Sequence, residues 1–217
     1  MSHLFHPDSP VIRFLWKAAD LIALNLVWLV CCIPIVTLGP STTAMDCVAR
    51  KIAKGEWPAI FKTFFQAFKE NFKQALLVFL VLLIPICLVA VYLLLSVSGA
   101  LDGVVLIKYL CCLGIVIIGC ICTYAYPLIA HFDNSVGNTL KNAVLLPLAN
   151  PFLALIATAL NLLPVLIMLI NFELFVTVSF FWLVIGYALT ALANTKRLGW
   201  LFDRFTPDEP PAEDPLS

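Results

Sequence analysis

The sequence predicts an all-α integral membrane protein with about five transmembrane helices and short cytoplasmic amphipathic helices. Of its 217 residues, 62% are hydrophobic and 12% charged, and the mean hydropathy is +1.02. A helix needs about 20 apolar residues to cross a bilayer core of roughly 30 Å. Five stretches of at least 22 residues contain no Asp, Glu, Lys or Arg: 21–45, 74–101, 109–131, 142–172 and 174–195.

The first predicted span covers 21–38, which gives about 27 Å as a helix and is only just long enough. Pro34 bends it, and Gly39 followed by Pro40 ends it. Ser41 is well placed to cap a following amphipathic helix over 42–54. Asp20 at the edge of the span and the four later spans favour an uncleaved helix over a cleaved signal sequence.

A second amphipathic helix is predicted over 58–73. Its aromatic residues recur at steps of three and four and form one stripe: Phe61, Phe64, Phe65, Phe68 and Phe72. Lys62, Lys69 and Lys73 occupy other faces. A basic helix with an aromatic face suits the membrane interface and would lie in its plane. The alternative is that the stripe packs on the protein's own helices.

The other predicted spans are 75–97, 105–130, 151–170 and 174–193, within one membrane domain over 1–205. A third amphipathic helix is predicted over 135–149, with Ser135 as its cap. Asn150 and Pro151 then start the fourth span as an N-cap and a first-turn proline. The segment 206–217 is rich in proline, carries four acidic residues and no basic one, and is predicted to be a disordered tail.

Orientation follows from the Lys and Arg residues in the short loops. Six of them lie between the first two spans, at positions 50, 51, 54, 62, 69 and 73. We therefore expect a multi-pass protein of the cell membrane, with loop 41–73 and the C-terminus in the cytoplasm. Five spans put the N-terminus outside, although Arg13 and Lys17 are there. In the alternative, 21–38 enters the membrane and returns, which leaves both ends inside.

Part of the sequence resembles a known family. The residues Phe14–Leu15–Trp16–Lys17–Ala18–Ala19–Asp20, the run Pro34–Ile35–Val36–Thr37–Leu38–Gly39, and the run Phe68–Lys69–Glu70–Asn71–Phe72 carry the resemblance. They are similar to the opening third of the bacterial YesL-like family, which usually has a small residue where this chain has Pro40. The resemblance implies an integral membrane protein of unassigned function, often encoded beside carbohydrate importers of the ABC type and their regulators.

The candidate contacts for a partner or ligand lie near the first span: Asp20, Asn25, Ser41, Thr42 and Thr43. Lys17 and Asp20 are three residues apart and could pair on one helix face. Asn25 lies deeper, where bonding to a neighbouring helix is the more ordinary role. The three hydroxyl residues could offer free helix-start amides to an anion, or serve only as caps.

No nucleotide-binding or common hydrolase motif occurs, so we expect neither an enzyme nor a cofactor. The eight cysteines show no metal-ligand spacing, and no metal or nucleic-acid partner is expected. The leading hypothesis is a non-catalytic accessory or interaction partner of a membrane system, such as a carbohydrate ABC importer or its sensor. The alternative is a small solute transporter or channel, which the prolines within the spans would suit.

Overall fold

The computed structural model describes residues 10–97 and 105–203. These residues form helices and short connections and contain no strand, so the predicted all-α membrane fold is confirmed. The predicted tail 206–217 lies outside the described residues. The helices are α1 Pro10–Cys31, α2 Leu38–Ala53, α3 Ile60–Val97, α4 Val105–His131, α5 Val136–Ala149, α6 Pro151–Ile170, α7 Phe172–Phe181 and α8 Tyr187–Asp203.

Four helical segments of the described chain are long and apolar enough to cross a membrane: Phe14–Cys31, Ile60–Tyr92, Leu113–His131 and Glu173–Gly199. A fifth is obtained if the pair Val136–Ala149 and Pro151–Pro164, between which the chain bends by 112°, counts as one span. The multi-pass character expected from the sequence is thus present.

The first predicted span, 21–38, is wrong in its bounds. Helix α1 ends at Cys31, and a short 3-10 helix over Ile35–Thr37 leads into α2. The Trp28 indole Nε1 donates to the Thr42 hydroxyl near this turn, while Lys17 Nζ lies 4.9 Å from the Trp57 ring centre at the other end. The first contact joins the end of α1 to the start of α2, and the second joins an earlier part of α1 to the residues that follow α2. The helices α1 and α2 therefore form an antiparallel hairpin.

Gly39 and Pro40 lie inside the first turn of α2 instead of ending a helix. Proline is tolerated there because the first-turn amides have no partner within the helix. Gly39 allows α2 to lie close to α3, because a Cβ atom at this position would be only 2.6 Å from the Ala75 carbonyl oxygen of α3. The predicted cap at Ser41 and the predicted start at residue 42 are therefore wrong, and α2 begins at Leu38 after the N-cap Thr37.

The predicted surface helix 58–73 is not a separate element. It is continuous with the following span in the 38-residue helix α3, which has no break between the two. The phenylalanine stripe is accordingly divided. Phe64 is fully buried against α1 and α2, and Phe68 packs beside it, whereas Phe61 and Phe65 are 58% and 44% exposed. Packing on the protein's own helices accounts for the inner half of the stripe.

The predicted signals around α5 agree with the structure. The Ser135 hydroxyl accepts from the backbone N–H of Asn138 and caps α5. Pro151 stands at the start of α6, directly after Asn150. Gln74 links α3 to α5. Its Nε2 donates to the Asn134 carbonyl just before α5 at 2.7 Å and to the Thr139 hydroxyl within α5 at 3.1 Å.

Helix α2 is the interior helix of the fold. Ten of its 16 residues are buried, including Ser41, Thr43 and Asp46. One apolar cluster joins it to α1, the start of α3 and α8, and a second cluster joins α3, α4, α5, α6 and α8. A helix that is too short and too polar to be a span thus lies among the apolar helices that surround it.

Candidate functional site

Two adjoining cavities lie beside α2. The inner cavity has a volume of about 220 Å³ and is lined by α1, α2, α4, α6 and α8. The outer cavity has a volume of about 210 Å³ and is lined by the C-terminal halves of α2, α4 and α8. Asp46 and Pro127 line both. We call the two cavities together the chamber.

Asp46 stands where the two cavities meet. Its side chain is 6% exposed, and no hydrogen bond or ion pair to its carboxyl is found within residues 10–97 and 105–203. Burial alone raises the pKa of Asp46 to about 8, because the charged form loses its hydration. A buried carboxyl that lines both cavities is thus protonated at neutral pH and can donate as well as accept a hydrogen bond.

A chain of side-chain hydrogen bonds crosses the inner cavity. Asn194 of α8 donates to the Asn161 Oδ1 atom of α6 at 3.1 Å, and Asn161 donates to the Thr123 hydroxyl of α4 at 3.0 Å. Thr123 in turn donates to the Gly119 carbonyl at 2.8 Å. The Asn194 Oδ1 atom is buried and accepts from no group that the structure describes. The inner cavity therefore offers amide and hydroxyl groups with capacity left over.

Basic side chains line the outer cavity: Arg50, Lys54, His131 and Lys196. The Arg50 guanidinium donates through Nη1 to the Ala130 carbonyl at 3.2 Å, in the last turn of α4. A cation is favoured at the C-terminal end of a helix, where the carbonyl groups lack partners. The Nε atom of Arg50 and the Thr195 hydroxyl are buried and find no partner among the described residues.

Asn25 makes a different kind of contact, to a π-helical segment over Trp182–Gly186 between α7 and α8. Its Nδ2 donates to the Leu183 carbonyl at 2.6 Å, and its Oδ1 accepts from the Ala188 N–H at 2.8 Å. A π-bulge disturbs the regular backbone ladder, and Asn25 bonds to one group within the bulge, at Leu183, and to one just after it, at Ala188 in the first turn of α8. The interhelical role expected for Asn25 is therefore the one observed.

The other predicted site residues are dispersed. Asp20 is half-buried, and within the described chain it forms no ion pair with Lys17, which lies over Trp57. Thr42 lines the inner cavity, and its hydroxyl donates to the Leu38 carbonyl. Ser41 and Thr43 are buried in α2 and do not line the chamber. The structure brings only Thr42 of this group to Asp46.

Sequence analysis missed Asp46 because it placed this residue in a surface helix. One signal was available, since Thr42, Asp46 and Arg50 are spaced four residues apart and share one face of a helix. What the sequence could not show is that α4, α6 and α8 cover this face. Among the described residues no group of three or more His, Cys, Asp or Glu side chains could hold a metal ion.

Comparisons with known proteins agree with the resemblance read from the sequence. The family described as "Protein of unknown function, DUF624" matches residues 21–93, which contain Asn25, Asp46 and Arg50. The chain is also 26% identical over 168 residues to "Uncharacterized protein YesL" of Bacillus subtilis (strain 168). That alignment covers 75% of this chain and 79% of the relative. No solved structure gives a significant match.

Proposed function

We propose that this chain, a YesL-like membrane protein, is a non-catalytic accessory protein that binds a small polar solute in the chamber. In this proposal it serves a membrane system such as a carbohydrate ABC importer or its sensor. The observation that carries the proposal is the set of buried polar groups with unfilled capacity around Asp46. Buried polar groups are nearly always paired, so a lined cavity that leaves several unpaired favours a ligand.

Binding is favoured over catalysis by what lines the chamber. Asp46 is the single carboxyl among the lining residues, and the inner cavity otherwise presents amide, hydroxyl, aromatic, thiol and aliphatic groups. The described lining thus lacks the pair of carboxyl groups with opposed roles that many acid–base mechanisms use. Convergent amides and hydroxyls that hold one another in place are instead typical of recognition.

We further propose that the outer cavity opens to the cytoplasm. Its basic lining residues lie with Lys51 and Arg197 at the end of the fold where Lys and Arg are concentrated, which the positive-inside tendency assigns to the cytoplasm. The antiparallel α1–α2 hairpin supports an N-terminus on the same side, and this removes the conflict with Arg13 and Lys17.

A cysteine-accessibility experiment tests this orientation. In a background without native cysteines, Glu56→Cys and Ser9→Cys should both resist an impermeant thiol reagent in intact cells and react after lysis. Rapid labelling of Glu56→Cys in intact cells would reverse the orientation. Labelling of Ser9→Cys alone would restore the five-span arrangement with the N-terminus outside.

The function itself is tested by purification from native membranes. An accessory protein should co-purify with its membrane partner at a fixed ratio, and the purified full chain should retain a polar solute that mass spectrometry detects. Reconstituted alone in liposomes, it should not move that solute. Solute movement by the protein alone would instead support the second candidate, a small transporter, for which the chamber beside prolines in α4 and α6 is the relevant feature.

A further inference from the structure

The two cavities of the chamber differ in charge. Four basic residues line the outer cavity, and Asp46 is the acidic residue among its lining. The inner cavity is lined by no Lys, Arg or His and presents Asn161, Asn194 and Thr190. Since burial raises the pKa of Asp46 to about 8, the outer cavity carries net positive charge at neutral pH.

The buried polar atoms without a partner among the described residues also differ between the two cavities. In the outer cavity they are the Arg50 Nε, which can only donate, and the Thr195 hydroxyl, which can donate or accept. In the inner cavity the unpaired atom is the Asn194 Oδ1 acceptor, on a side chain that is 4% exposed. A ligand that satisfies the Arg50 Nε and the Asn194 Oδ1 must accept a hydrogen bond at one end and donate one at the other, and the Thr195 hydroxyl can serve either kind of group.

We propose that the ligand is a small phosphate-bearing polyol, with its phosphate in the outer cavity and its hydroxyl groups in the inner cavity. This inference rests on the proposed solute-binding function and names the solute class. Charge-assisted hydrogen bonds from Arg and Lys hold phosphate oxygens, and the Asn194 amide oxygen accepts from a hydroxyl. The phosphate-bearing polyol can be a soluble molecule or the headgroup of a lipid, because both present the same chemistry.

Asp46 fits this ligand at the junction of the cavities. A protonated carboxyl donates to a ligand oxygen and does not repel a neighbouring anion. The space is adequate, since each cavity exceeds 200 Å³, while one water needs roughly 10–15 Å³ of such volume. The chamber therefore has room for several heavy atoms beyond ordered water.

The test measures binding of defined probes to the full chain in phosphatidylcholine nanodiscs by calorimetric titration. The probes are glycerol 3-phosphate, inorganic phosphate and glycerol. The site variant is the pair Lys54→Gln and Lys196→Gln, whose side chains are exposed at the rim of the outer cavity. Its matched control is the pair Lys51→Gln and Arg197→Gln, which removes the same charge from the same two helices outside the chamber.

We expect glycerol 3-phosphate to bind more tightly than either phosphate or glycerol. The site pair should weaken glycerol 3-phosphate and phosphate together by about fivefold or more, and the control pair by less than about twofold. A third variant, Asn194→Val, should weaken glycerol 3-phosphate about tenfold and leave phosphate unchanged, because only the hydroxylated part reaches this amide.

A parallel series replaces phosphatidylcholine with phosphatidylglycerol. If the lipid headgroup is the ligand, phosphatidylglycerol should compete with glycerol 3-phosphate in the wild-type chain and not in the site pair. If the ligand is soluble, affinity for glycerol 3-phosphate should be the same in both lipids. Either result supports the inference and identifies the source.

Equal losses in the site and control pairs would overturn the inference, as would glycerol binding as tightly as glycerol 3-phosphate. The second outcome would leave the proposed function standing, with a neutral solute in the chamber. The proposed function fails separately, if no solute is retained from native membranes and no partner co-purifies.

Discussion

The two arms of the α1–α2 hairpin each bury a polar side chain, and the two have opposite surroundings. Asn25 on α1 is fully buried, and both ends of its amide are bonded to the π segment and the start of α8. Asp46 on α2 is 6% exposed and faces cavity space without a bonded partner in the described chain. Burial alone therefore does not mark a binding residue, whereas unfilled hydrogen-bonding capacity beside a cavity does.

Replacing Asn25 should give the largest effect. Asn25→Leu leaves the Leu183 carbonyl and the Ala188 N–H unpaired, and each buried orphan costs about 1–3 kcal/mol, so the free energy of unfolding should fall by about 2–4 kcal/mol. Denaturant titration in detergent micelles measures it, with Leu26→Ala on the exposed face as control. If the free energy of unfolding falls no further than in the control, the hydrogen bonds of Asn25 do not stabilise the fold.

Replacing Asp46 should raise the free energy of unfolding instead of lowering it. Its folded pKa of about 8 lies above the unfolded value of 3.8, so the folded protein holds a proton that the unfolded chain releases between these pH values. The free energy of unfolding of the wild type should therefore fall as pH rises from about 4 to about 8. Asp46→Asn should flatten this slope and make the variant more stable than the wild type at pH 8.

Unfolding titrations across this pH range check the Asp46 prediction, with the exposed Glu56→Gln as the carboxyl control. The other ionisable groups that share the chamber with Asp46 are the same in wild type and variant, so the comparison isolates the Asp46 carboxyl. These groups are Arg50, Lys54, Cys122, Tyr126, His131, Tyr187 and Lys196. An unchanged pH slope in Asp46→Asn would mean that this carboxyl is hydrated in solution.

Asn194 is an intermediate case that sharpens the comparison. One end of its amide is bonded to Asn161, while its Oδ1 atom has no described partner. Asn194→Val loses one hydrogen bond and also removes one unpaired oxygen, so the free energy of unfolding should change by less than about 1 kcal/mol. A loss as large as that of Asn25→Leu would show that the inner cavity is structural.

The smallest effect is expected at Asp20, which the sequence placed among the candidate contacts. It is half-buried in the middle of α1 and does not line the chamber. Asp20→Asn should change the free energy of unfolding by at most about 0.5 kcal/mol. It should also leave glycerol 3-phosphate binding within twofold of the wild type. A loss of co-purifying partner in this variant would identify a second contact surface away from the chamber.

Much of the helix plan could be predicted because charge-free runs and start signals are local properties. The runs around 109–131 and 142–172 became α4 and α6, and Ser135 and Pro151 start their helices as expected. The segment 58–73 was wrongly predicted to be a separate helix, because an amphipathic pattern indicates a buried face but does not indicate where the helix ends. Nothing between Lys73 and Ala75 breaks α3.

The hairpin and the chamber could not be predicted from local pattern. Gly39 and Pro40 are equally compatible with the end of one helix and the first turn of another, and only the contact of Gly39 with α3 decides between them. Asp46 becomes unusual only when α4, α6 and α8 cover its face of α2. The relevant information is the arrangement of distant helices, which the spacing of residues in α2 does not contain.

The turn between the hairpin arms bears on how the protein is made. Ile33, Ile35 and Val36 are more than half exposed there, and no ionisable Asp, Glu, Lys or Arg occurs from residue 21 to residue 45. The part of each arm next to the turn, within residues 21–45, can thus enter the lipid turn first without drawing a charge through hydrocarbon. The chamber itself can form only later, because α4, α6 and α8, which line it with α2, follow in the chain.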